Sequence, residues 1–326
     1  MNIYFLKGCV GAKKSADRKG MFIMNLITEC TDKTIFDYEK SKRLVEDLTK
    51  KYPFLSTDVI GRSSTGRAIF ALTLGNKRNR VLLAGAFHGC EWLTALVLFR
   101  FCEKLCISLD QKSELCSVNI SRAFSQLGVM IVPCVNPDGV EIAVHGADGA
   151  GSTKKFIESL KCKDYSKWNA NAAGVDINHN FNAGWETLRK MEEESGITGP
   201  APRRFGGYRA ESEAETKAMT RLCRMLPFRQ AMALHSQGEE LYWCYGDDTP
   251  AQAHMMAKIL ADSCSYRLVE NDGLASHGGF KDWFISEFYR PAFTMEIGKG
   301  ENPLPVTELE KIYARIEEAL TIFTLM

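Results

Sequence analysis

The chain alternates between stretches with apolar residues at helical spacing and short apolar runs bounded by turn residues. The helical spacing predicts helices over residues 36–52, 91–109, 212–225, 250–263, 279–288 and 306–326. The short apolar runs predict strands over residues 55–60, 68–74, 81–87, 129–135, 229–234, 240–245 and 291–297. Nearly continuous apolar strands that alternate with helices are typical of a buried sheet covered on both faces. We therefore predict an α/β fold of three layers, α/β/α, around a central mixed, mostly parallel sheet.

Two long polar segments rich in glycine interrupt this pattern. Residues 146–174 predict a loop that contains a short helix, and residues 198–208 predict a second loop; loops of this length are usually functional. The tetrapeptide Asn-Pro-Asp-Gly at 136–139 predicts a turn. Because no repeat or linker divides the chain, we expect a single domain over residues 36–326. Residues 1–35 are expected to form an N-terminal extension that is partly disordered.

The composition is that of an ordinary folded chain, with 45% of its 326 residues hydrophobic and 25% charged. Lys and Arg number 41 against 40 Asp and Glu, a net charge of +1, so no overall field favours nucleic acid or an anionic membrane. The most apolar stretch, residues 92–109, contains charged residues and is shorter than the roughly 20 apolar residues that span a bilayer. We therefore expect no nucleic-acid partner and no membrane partner.

The cysteines and the N-terminus bear on the compartment. Eleven cysteines, an odd number without regular spacing, indicate reduced thiols and favour the cytosol. The first 20 residues place their charge after a short apolar patch and lack a small-residue cleavage site. This order disfavours an export signal but leaves export open, and the predicted localisation is cytoplasmic.

Two apolar strands each end at a histidine. The strand at 81–87 is followed by His88 and, three residues later, Glu91; the strand at 229–234 is followed by His235. Open α/β sheets bind ligands at the carboxyl ends of their strands, and imidazole and carboxylate groups are zinc ligands. His-x-x-Glu alone is a weak signal, because a helix-capping Glu beside an unrelated His has the same spacing.

A glutamate interrupts the apolar strand at 291–297. Glu296 stands in the sequence Phe-Thr-Met-Glu-Ile-Gly. A buried Glu is rare unless it is paired or functional, and apolar surroundings raise its pKa toward that of a general base. A paired core carboxylate and a catalytic base both fit this position.

These segments acquire a joint interpretation with three others: VPCVNPDGV at 132–140, GVDINHNF at 174–181, and a closing block with GGFKDWF at 278–284 and RPAFTMEIGKGENPLP at 290–305. Together they resemble the zinc carboxypeptidase family, the carboxypeptidase A-like metallopeptidases, over residues 36–323. The closing block is similar to the bacterial branch that includes γ-D-glutamyl-(L)-meso-diaminopimelate peptidases, which cut peptidoglycan stem peptides.

The resemblance implies a zinc carboxypeptidase-like fold and the chemistry of that family. His88, Glu91 and His235 would bind one Zn²⁺ per chain, and Glu296 would be the general acid/base that activates a water. The implied partner is a peptide or murein-peptide substrate, and the implied reaction is hydrolysis of a γ-D-Glu-diamino acid bond without a covalent intermediate.

Several substrate-binding positions of the family are changed here. Where the family has an Asn-Arg pair for the substrate's terminal carboxylate, this chain has Asn178 and His179. Arg binds a carboxylate with two hydrogen bonds at any working pH, whereas His does not. Near the position of the family's mobile tyrosine stands His277, which is either a substitute hydrogen-bond donor or a plain loop residue. Asn178, His179 and His277 are therefore the candidate substrate-binding residues.

Two further arginine positions of the family are occupied by Cys90 and Asn169. Arginines on the second loop are candidates for supplying the missing charge, although solvated surface arginines are more common; they are Arg203, Arg204 and Arg209. From these changes we expect poor activity on simple C-terminal dipeptide substrates.

Three alternatives to a peptidoglycan peptidase stay open. The first is a metallocarboxypeptidase with altered recognition of the terminal carboxylate. The second is a zinc-binding pseudoenzyme, against which the intact Glu296 argues because a binder needs no base beside its metal. The third is a thiol enzyme built on Cys90, for which no local signature exists.

Overall fold

The computed structural model describes residues 35–270 and 277–326, so residues 1–34 of the predicted extension lie outside the described residues. The strands are β1 (Ser56–Arg62), β2 (Ala68–Gly75), β3 (Arg80–Gly85), β4 (Glu114–Leu115), β5 (Val118–Asn119), β6 (Gly128–Val132), β7 (Phe228–His235), β8 (Glu240–Tyr242), β9 (Arg267–Val269) and β10 (Ala292–Glu296). The α-helices are α1 (Tyr38–Lys51), α2 (Leu93–Gln111), α3 (Ile120–Ala123), α4 (Pro137–His145), α5 (Lys154–Ser159), α6 (Trp185–Glu194), α7 (Ala214–Met225), α8 (Ala253–Cys264), α9 (Phe280–Phe288) and α10 (Leu309–Leu325).

The main sheet has eight strands in the order β1-β2-β6-β3-β7-β10-β8-β9. Its centre, β6-β3-β7-β10, is parallel, and β8 and β9 also pair in parallel. The pairs β1-β2, β2-β6 and β10-β8 are antiparallel. The predicted mixed, mostly parallel sheet is confirmed. The carboxyl ends of the four central strands consequently meet at one edge of the sheet, where the candidate site lies.

Helices cover both faces of this sheet. In β3, Leu83 packs with α1, α2, α8 and α10, while its neighbour Leu82 packs on the opposite face with α7 and α9. Side chains alternate between the two faces of a strand, so a strand buried on both faces is apolar at every position. This explains the continuous apolar runs of the sequence and confirms the three-layer α/β/α prediction.

The turn predicted at residues 136–139 is wrong, because this tetrapeptide begins helix α4. The buried Asn136 is the N-cap residue, and its side-chain oxygen accepts a hydrogen bond from the Gly139 N–H at 2.8 Å. Pro137 occupies the first helical position, where its missing N–H costs nothing and its fixed φ suits the helix. Asn-Pro-Asp-Gly therefore begins a helix here as readily as it forms an isolated turn.

Other differences from the predicted elements are small. The strand predicted over residues 240–245 ends at Tyr242, and the pattern did not single out the short hairpin β4-β5 or the helix α6. Within the described residues, no helix is long and apolar enough to cross a membrane. The three-layer core of the prediction is unaffected.

Candidate active site

The two histidines of the sequence prediction lie at the ends of adjacent parallel strands. Gly85, at the end of β3, pairs with Leu234 of β7, so His88 and His235 emerge at the same edge of the sheet. Glu91 lies in a short 3-10 turn, Gly89–Glu91, between β3 and α2. The His-x-x-Glu spacing therefore spans a strand-to-helix turn, as its place in the sequence indicated.

The ligand turn is held against a neighbouring segment by its own backbone. The Cys90 N–H donates to the Trp168 carbonyl at 2.8 Å, and the Gly89 N–H donates to the Asn169 carbonyl at 3.1 Å. A side chain at Gly89 would lie 2.2 Å from the carbonyl oxygen of Gly139 in α4, so only glycine fits this close approach. These contacts fix the backbone between His88 and Glu91, and with it the positions of their two side chains.

The side chains of His88, Glu91 and His235 converge. His88 Nδ1 lies 2.8 Å from Glu91 Oε1, His235 Nδ1 lies 2.9 Å from Glu91 Oε2, and the two Nδ1 atoms are 3.3 Å apart. One potential ligand atom from each residue lies within 4.8 Å of those of the other two. Glu91 and His235 are buried, and His88 is partly buried. Two imidazole nitrogens and a carboxylate oxygen thus point into one small volume.

Asp176 orients His88, a role that the sequence analysis did not assign. Asp176 Oδ1 lies 3.1 Å from His88 Nε2, the nitrogen that faces away from the cluster. A carboxylate on the second nitrogen of a metal-binding histidine fixes its tautomer and ring orientation. The available signal was the GVDINHNF segment, where Asp176 directly precedes a short 3-10 turn and caps it.

The charges in the cluster stabilise one another. Burial raises the pKa of Glu91, but His88 and His235 lower it by more, to about 2. Burial lowers the pKa of His88, and the carboxylates of Glu91 and Asp176 more than reverse that effect, so its pKa lies well above the usual value. Glu91 is therefore ionised, and the carboxylates of Glu91 and Asp176 favour positive charge between them.

Glu296 faces the same cavity from the next strand. It ends β10 and pairs in register with His235 of β7 on one side and with Glu240 of β8 on the other. A cavity of about 480 Å³ is lined by His88, Glu91 and Glu296 together. The sequence alternatives for Glu296 were a core pair and a base; its place on the cavity wall favours the base.

The candidate substrate-binding residues occupy different places. Asn178 lines the cavity, and its side-chain oxygen accepts a hydrogen bond from the Phe280 N–H at 3.0 Å. His179 does not line the cavity: its Nδ1 lies 2.8 Å from Glu192 Oε1 and 3.2 Å from the carbonyl oxygen of Arg204. His179 is thus held by contacts within the chain, and its role in substrate binding stays a prediction.

His277 also lies away from the cavity lining. Its ring is at 87° to that of Tyr245, with 6.3 Å between ring centroids, and its Nδ1 is buried without a hydrogen-bond partner among the described residues. Gly184 packs against this ring, since a side chain there would lie 2.5 Å from Nδ1. A role of His277 in substrate binding stays a prediction.

Three residues at the changed arginine positions and on the second loop do line the cavity: Cys90, Asn169 and Arg203. The Cys90 Sγ lies 3.1 Å from Asn169 Oδ1, and burial raises the pKa of this thiol strongly. A thiol nucleophile needs a lowered pKa, so the geometry disfavours the Cys90 alternative. Arg204 and Arg209 are exposed and do not line the cavity.

The donor set fits a zinc ion. Zinc prefers imidazole nitrogen and carboxylate oxygen, and catalytic zinc sites use three protein ligands and leave a position for water. The cluster supplies that set, with a carboxylate behind one histidine. A second group, Asp37, Glu141 and His145, lies nearer the surface, but Asp37 already caps α1 and Glu141 accepts from the Tyr38 N–H.

A two-histidine, one-glutamate cluster with a further glutamate on the cavity wall, at the carboxyl edge of a mixed α/β sheet, is the arrangement of a metal-dependent hydrolase. Residues 42–319 match the family described as zinc carboxypeptidase, Peptidase_M14. The chain belongs to this zinc-dependent family and is a peptidase.

Two bacterial proteins are similar in sequence. The gamma-D-glutamyl-L-diamino acid endopeptidase 1 of Lysinibacillus sphaericus is 32% identical over 290 residues, which cover 88% of this chain and 71% of the relative. The uncharacterised protein YqgT of Bacillus subtilis is 33% identical over 285 residues, 86% of this chain and 74% of the relative. Each of the two alignments covers more than four fifths of this chain.

The fold is similar to that of solved carboxypeptidases. The crystal structure of carboxypeptidase A from Helicoverpa armigera superposes with a TM-score of 0.68 at 19% identity, covering 95% of this chain and 80% of the other. Likeness at this level of identity shows the fold, and it confirms the zinc carboxypeptidase-like architecture.

Proposed function

We propose that this peptidase hydrolyses the γ-D-glutamyl-diamino acid bond of a peptidoglycan stem peptide, using one zinc ion bound by His88, Glu91 and His235 and Glu296 as its base. The observation that carries the proposal is the convergence of these three side chains on the cavity that Glu296 lines. The name of the Lysinibacillus relative supports the choice of substrate.

Each residue at the site has a separate task. A bound zinc ion would acidify a water and polarise the scissile carbonyl. Glu296 accepts the proton of the attacking water at its carboxylate and returns it to the nitrogen of the leaving amine. Asp176 holds the ring of His88 in place through Nε2. Asn178, fixed by the Phe280 N–H, presents its amide to the substrate.

The changed recognition positions support a substrate recognised through its acyl residue over one recognised through the free carboxylate of its last residue. His179, at the position of the family's carboxylate-binding arginine, is held by Glu192 and the Arg204 carbonyl outside the cavity lining. Without that arginine, a free terminal carboxylate loses its bidentate partner. The runner-up, a carboxypeptidase with another means of holding the carboxylate, makes the opposite prediction about substrates.

Two peptides separate these functions. The zinc-loaded protein is assayed on L-Ala-γ-D-Glu-meso-diaminopimelate and on a blocked C-terminal dipeptide, with and without a chelator. We expect cleavage of the first peptide that the chelator abolishes and zinc restores, and little cleavage of the second. Preferential cleavage of the dipeptide would establish the runner-up, and one bound zinc per chain without any cleavage would establish the pseudoenzyme.

The compartment is a proposal as well. The odd number and irregular spacing of the eleven cysteines favour the reducing cytosol. A cytosolic enzyme of this kind would act on released murein peptides instead of the intact wall. Fractionation of the native protein, with thiol labelling of its cysteines, tests this: labelled thiols in the cytosolic fraction support it, and recovery outside the cytosol contradicts it.

A further inference from the structure

Three basic side chains line the cavity beside the candidate zinc ligands: Lys167, Arg203 and Lys281. Lys281 is paired with Asp282 and donates to the Cys244 carbonyl at 2.7 Å. Lys167 Nζ lies 3.4 Å from Glu301 Oε2.

Arg203 differs from these two lysines. Its guanidinium has no ion pair and no hydrogen bond with any residue in the described ranges. Of the three basic side chains, Arg203 is therefore the one whose charge no described residue neutralises.

The backbone on both sides of Arg203 is fixed. The Asn169 and Ala170 N–H groups donate to the Pro202 carbonyl at 2.9 and 3.0 Å. On the other side, the Arg204 N–H donates to Asp176 Oδ2 at 3.0 Å, and the Arg204 carbonyl lies 3.2 Å from His179 Nδ1. One carboxylate oxygen of Asp176 thus contacts the side chain of His88, and the other contacts the loop that carries Arg203.

These contacts also explain the histidine at the family's arginine position. His179 contacts the backbone next to Arg203. The positive charge that the family's arginine would supply at position 179 is thus supplied here by Arg203, from a different loop. Fixing the backbone on both sides lowers the conformational cost of binding through an exposed side chain. The Arg203 side chain is exposed, and hydrogen bonds hold the backbone on both sides of it.

Arg203 and Glu296 reach the cavity from different parts of the fold. Arg203 is attached to residues 168–170 and 176, beside the ligand turn after β3, whereas Glu296 ends β10 beyond β7. Arg203 and Cys90, which belongs to the ligand turn, line the same cavity. We orient the substrate with its leaving amine toward Glu296, which protonates it, and with its acyl residue toward Arg203.

We propose that Arg203 binds the free α-carboxylate of the γ-linked D-glutamyl residue and thereby selects the isopeptide substrate. This inference rests on the proposed function. A γ-linkage leaves the α-carboxylate of the acyl residue free, whereas an ordinary α-peptide has no anion at that point. A guanidinium matches a carboxylate with two parallel hydrogen bonds.

The test compares two peptides that differ in one group. L-Ala-γ-D-Glu-meso-diaminopimelate carries the α-carboxylate, and the D-isoglutamine analogue carries a carboxamide in its place. We expect the wild-type protein to favour the acid over the amide at least about tenfold in kcat/KM, as one charge-assisted contact provides. Arg203→Ala should remove this preference by lowering kcat/KM for the acid while leaving that for the amide unchanged.

Arg209→Ala is the matched control, because Arg209 is exposed on the same loop and does not line the cavity. It should keep the wild-type preference. Binding of both peptides to Glu296→Gln, with and without Arg203→Ala, gives a readout that does not depend on turnover: Kd for the acid should rise about tenfold and Kd for the amide should not change.

The remaining outcomes overturn the inference in distinguishable ways. Equal cleavage of acid and amide by the wild-type protein, or equal losses for both peptides in Arg203→Ala, would leave the proposed function standing and remove Arg203 as the carboxylate-binding residue. If the zinc-loaded wild-type protein cleaves neither peptide, the proposed function fails and the inference fails with it.

Discussion

At the scale of single residues, Asp176 supports the candidate metal site without being one of its ligands. Asp176 contacts His88 Nε2 with one oxygen and the Arg204 N–H with the other. Removing the charge should loosen both contacts while leaving the three ligands present. Asp176 therefore joins metal binding to the position of the Arg203 loop.

We expect Asp176→Asn to weaken zinc affinity about 10- to 100-fold, the usual effect of losing a carboxylate behind a ligand histidine. Competition with a chromogenic chelator measures the affinity. Asp164→Asn is the matched control, because Asp164 is an exposed residue that caps a short 3-10 turn. Wild-type affinity in Asp176→Asn would show that His88 is oriented without it.

The residues of the site differ in how far the sequence could predict them. His88 and His235 follow apolar strands, so the strand pattern alone placed them at one edge of the sheet, where the structure brings them together with Glu91. Asp176 and Arg203 lie on loops, and their contacts depend on how two distant segments pack. No local pattern predicts such a contact. His179 was a candidate for binding substrate because it stands at the family's arginine position.

At the scale of elements, Asn136 joins α4 to the ligand turn. Besides capping α4, its side-chain amide donates to the carbonyl groups of Phe87, at 3.0 Å, and Ala170, at 3.2 Å. One buried residue therefore fixes a helix start, the end of the segment before His88, and the loop that holds the ligand turn.

Asn136→Ala should lower the free energy of unfolding by roughly 3 kcal/mol, since it removes a cap and leaves buried carbonyl oxygens without donors. Chemical denaturation measures this value. The control is Asn119→Ala, which removes an exposed cap from the short helix α3 and should cost about 1 kcal/mol or less. Equal losses for both variants would contradict the joining role of Asn136.

Glu215 makes the packing of α7 sensitive to pH. It is buried in the first turn of α7, and its carboxylate accepts from Asn171 Nδ2 at 3.1 Å. Burial raises the pKa of Glu215 from 4.5 to about 7, and the charge of Asp138 acts in the same direction. The folded state therefore holds a proton that the unfolded chain releases at lower pH.

This raised pKa has a defined consequence for stability. Its contribution is fully present below pH 4.5 and is lost as the pH rises through about 7, with a magnitude on the order of 3 kcal/mol. Glu215→Gln should reduce the decline in unfolding free energy between about pH 5 and 8. Glu194→Gln, a change at an exposed residue in the last turn of α6, should keep it. An unchanged decline in Glu215→Gln would contradict this assignment.

The elements themselves were largely predictable. Buried strands and long helices have strong apolar periodicity, so β3, β7, α2 and α10 agree closely with the prediction. Short elements such as β4 and β5 have too few residues for a pattern, and α4 was missed because its first residues also fit a turn. The cap lies within the tetrapeptide, from Asn136 to the Gly139 N–H, and residues 140–145 continue the helix.

At the scale of the whole molecule, the candidate zinc ligands come from distant parts of the chain. His88 and Glu91 come directly after β3, while His235 ends β7, 144 positions beyond Glu91 in the sequence. A cation that binds only when these segments are folded together stabilises the folded state by mass action. Metal binding should therefore stabilise the folded sheet, and unfolding of the sheet should release the metal.

Removing zinc should lower the thermal midpoint by several degrees, because saturation at 100 times Kd contributes about 2.7 kcal/mol. Calorimetry before and after chelation, with zinc added back, measures the change. His235→Ala should abolish the response. His145→Ala, in the second acidic group, should retain it. A response lost in His145→Ala instead would place the stabilising metal at that other group.

The central claim is that Glu296 is the base of a zinc site formed by His88, Glu91 and His235. The most direct test measures bound zinc and kcat on L-Ala-γ-D-Glu-meso-diaminopimelate for the wild-type protein and for Glu296→Gln. We predict one zinc per chain in both proteins and a loss of about 10²- to 10⁴-fold in kcat for the variant. Equal turnover by the two proteins, or active wild-type protein without zinc, would contradict the account.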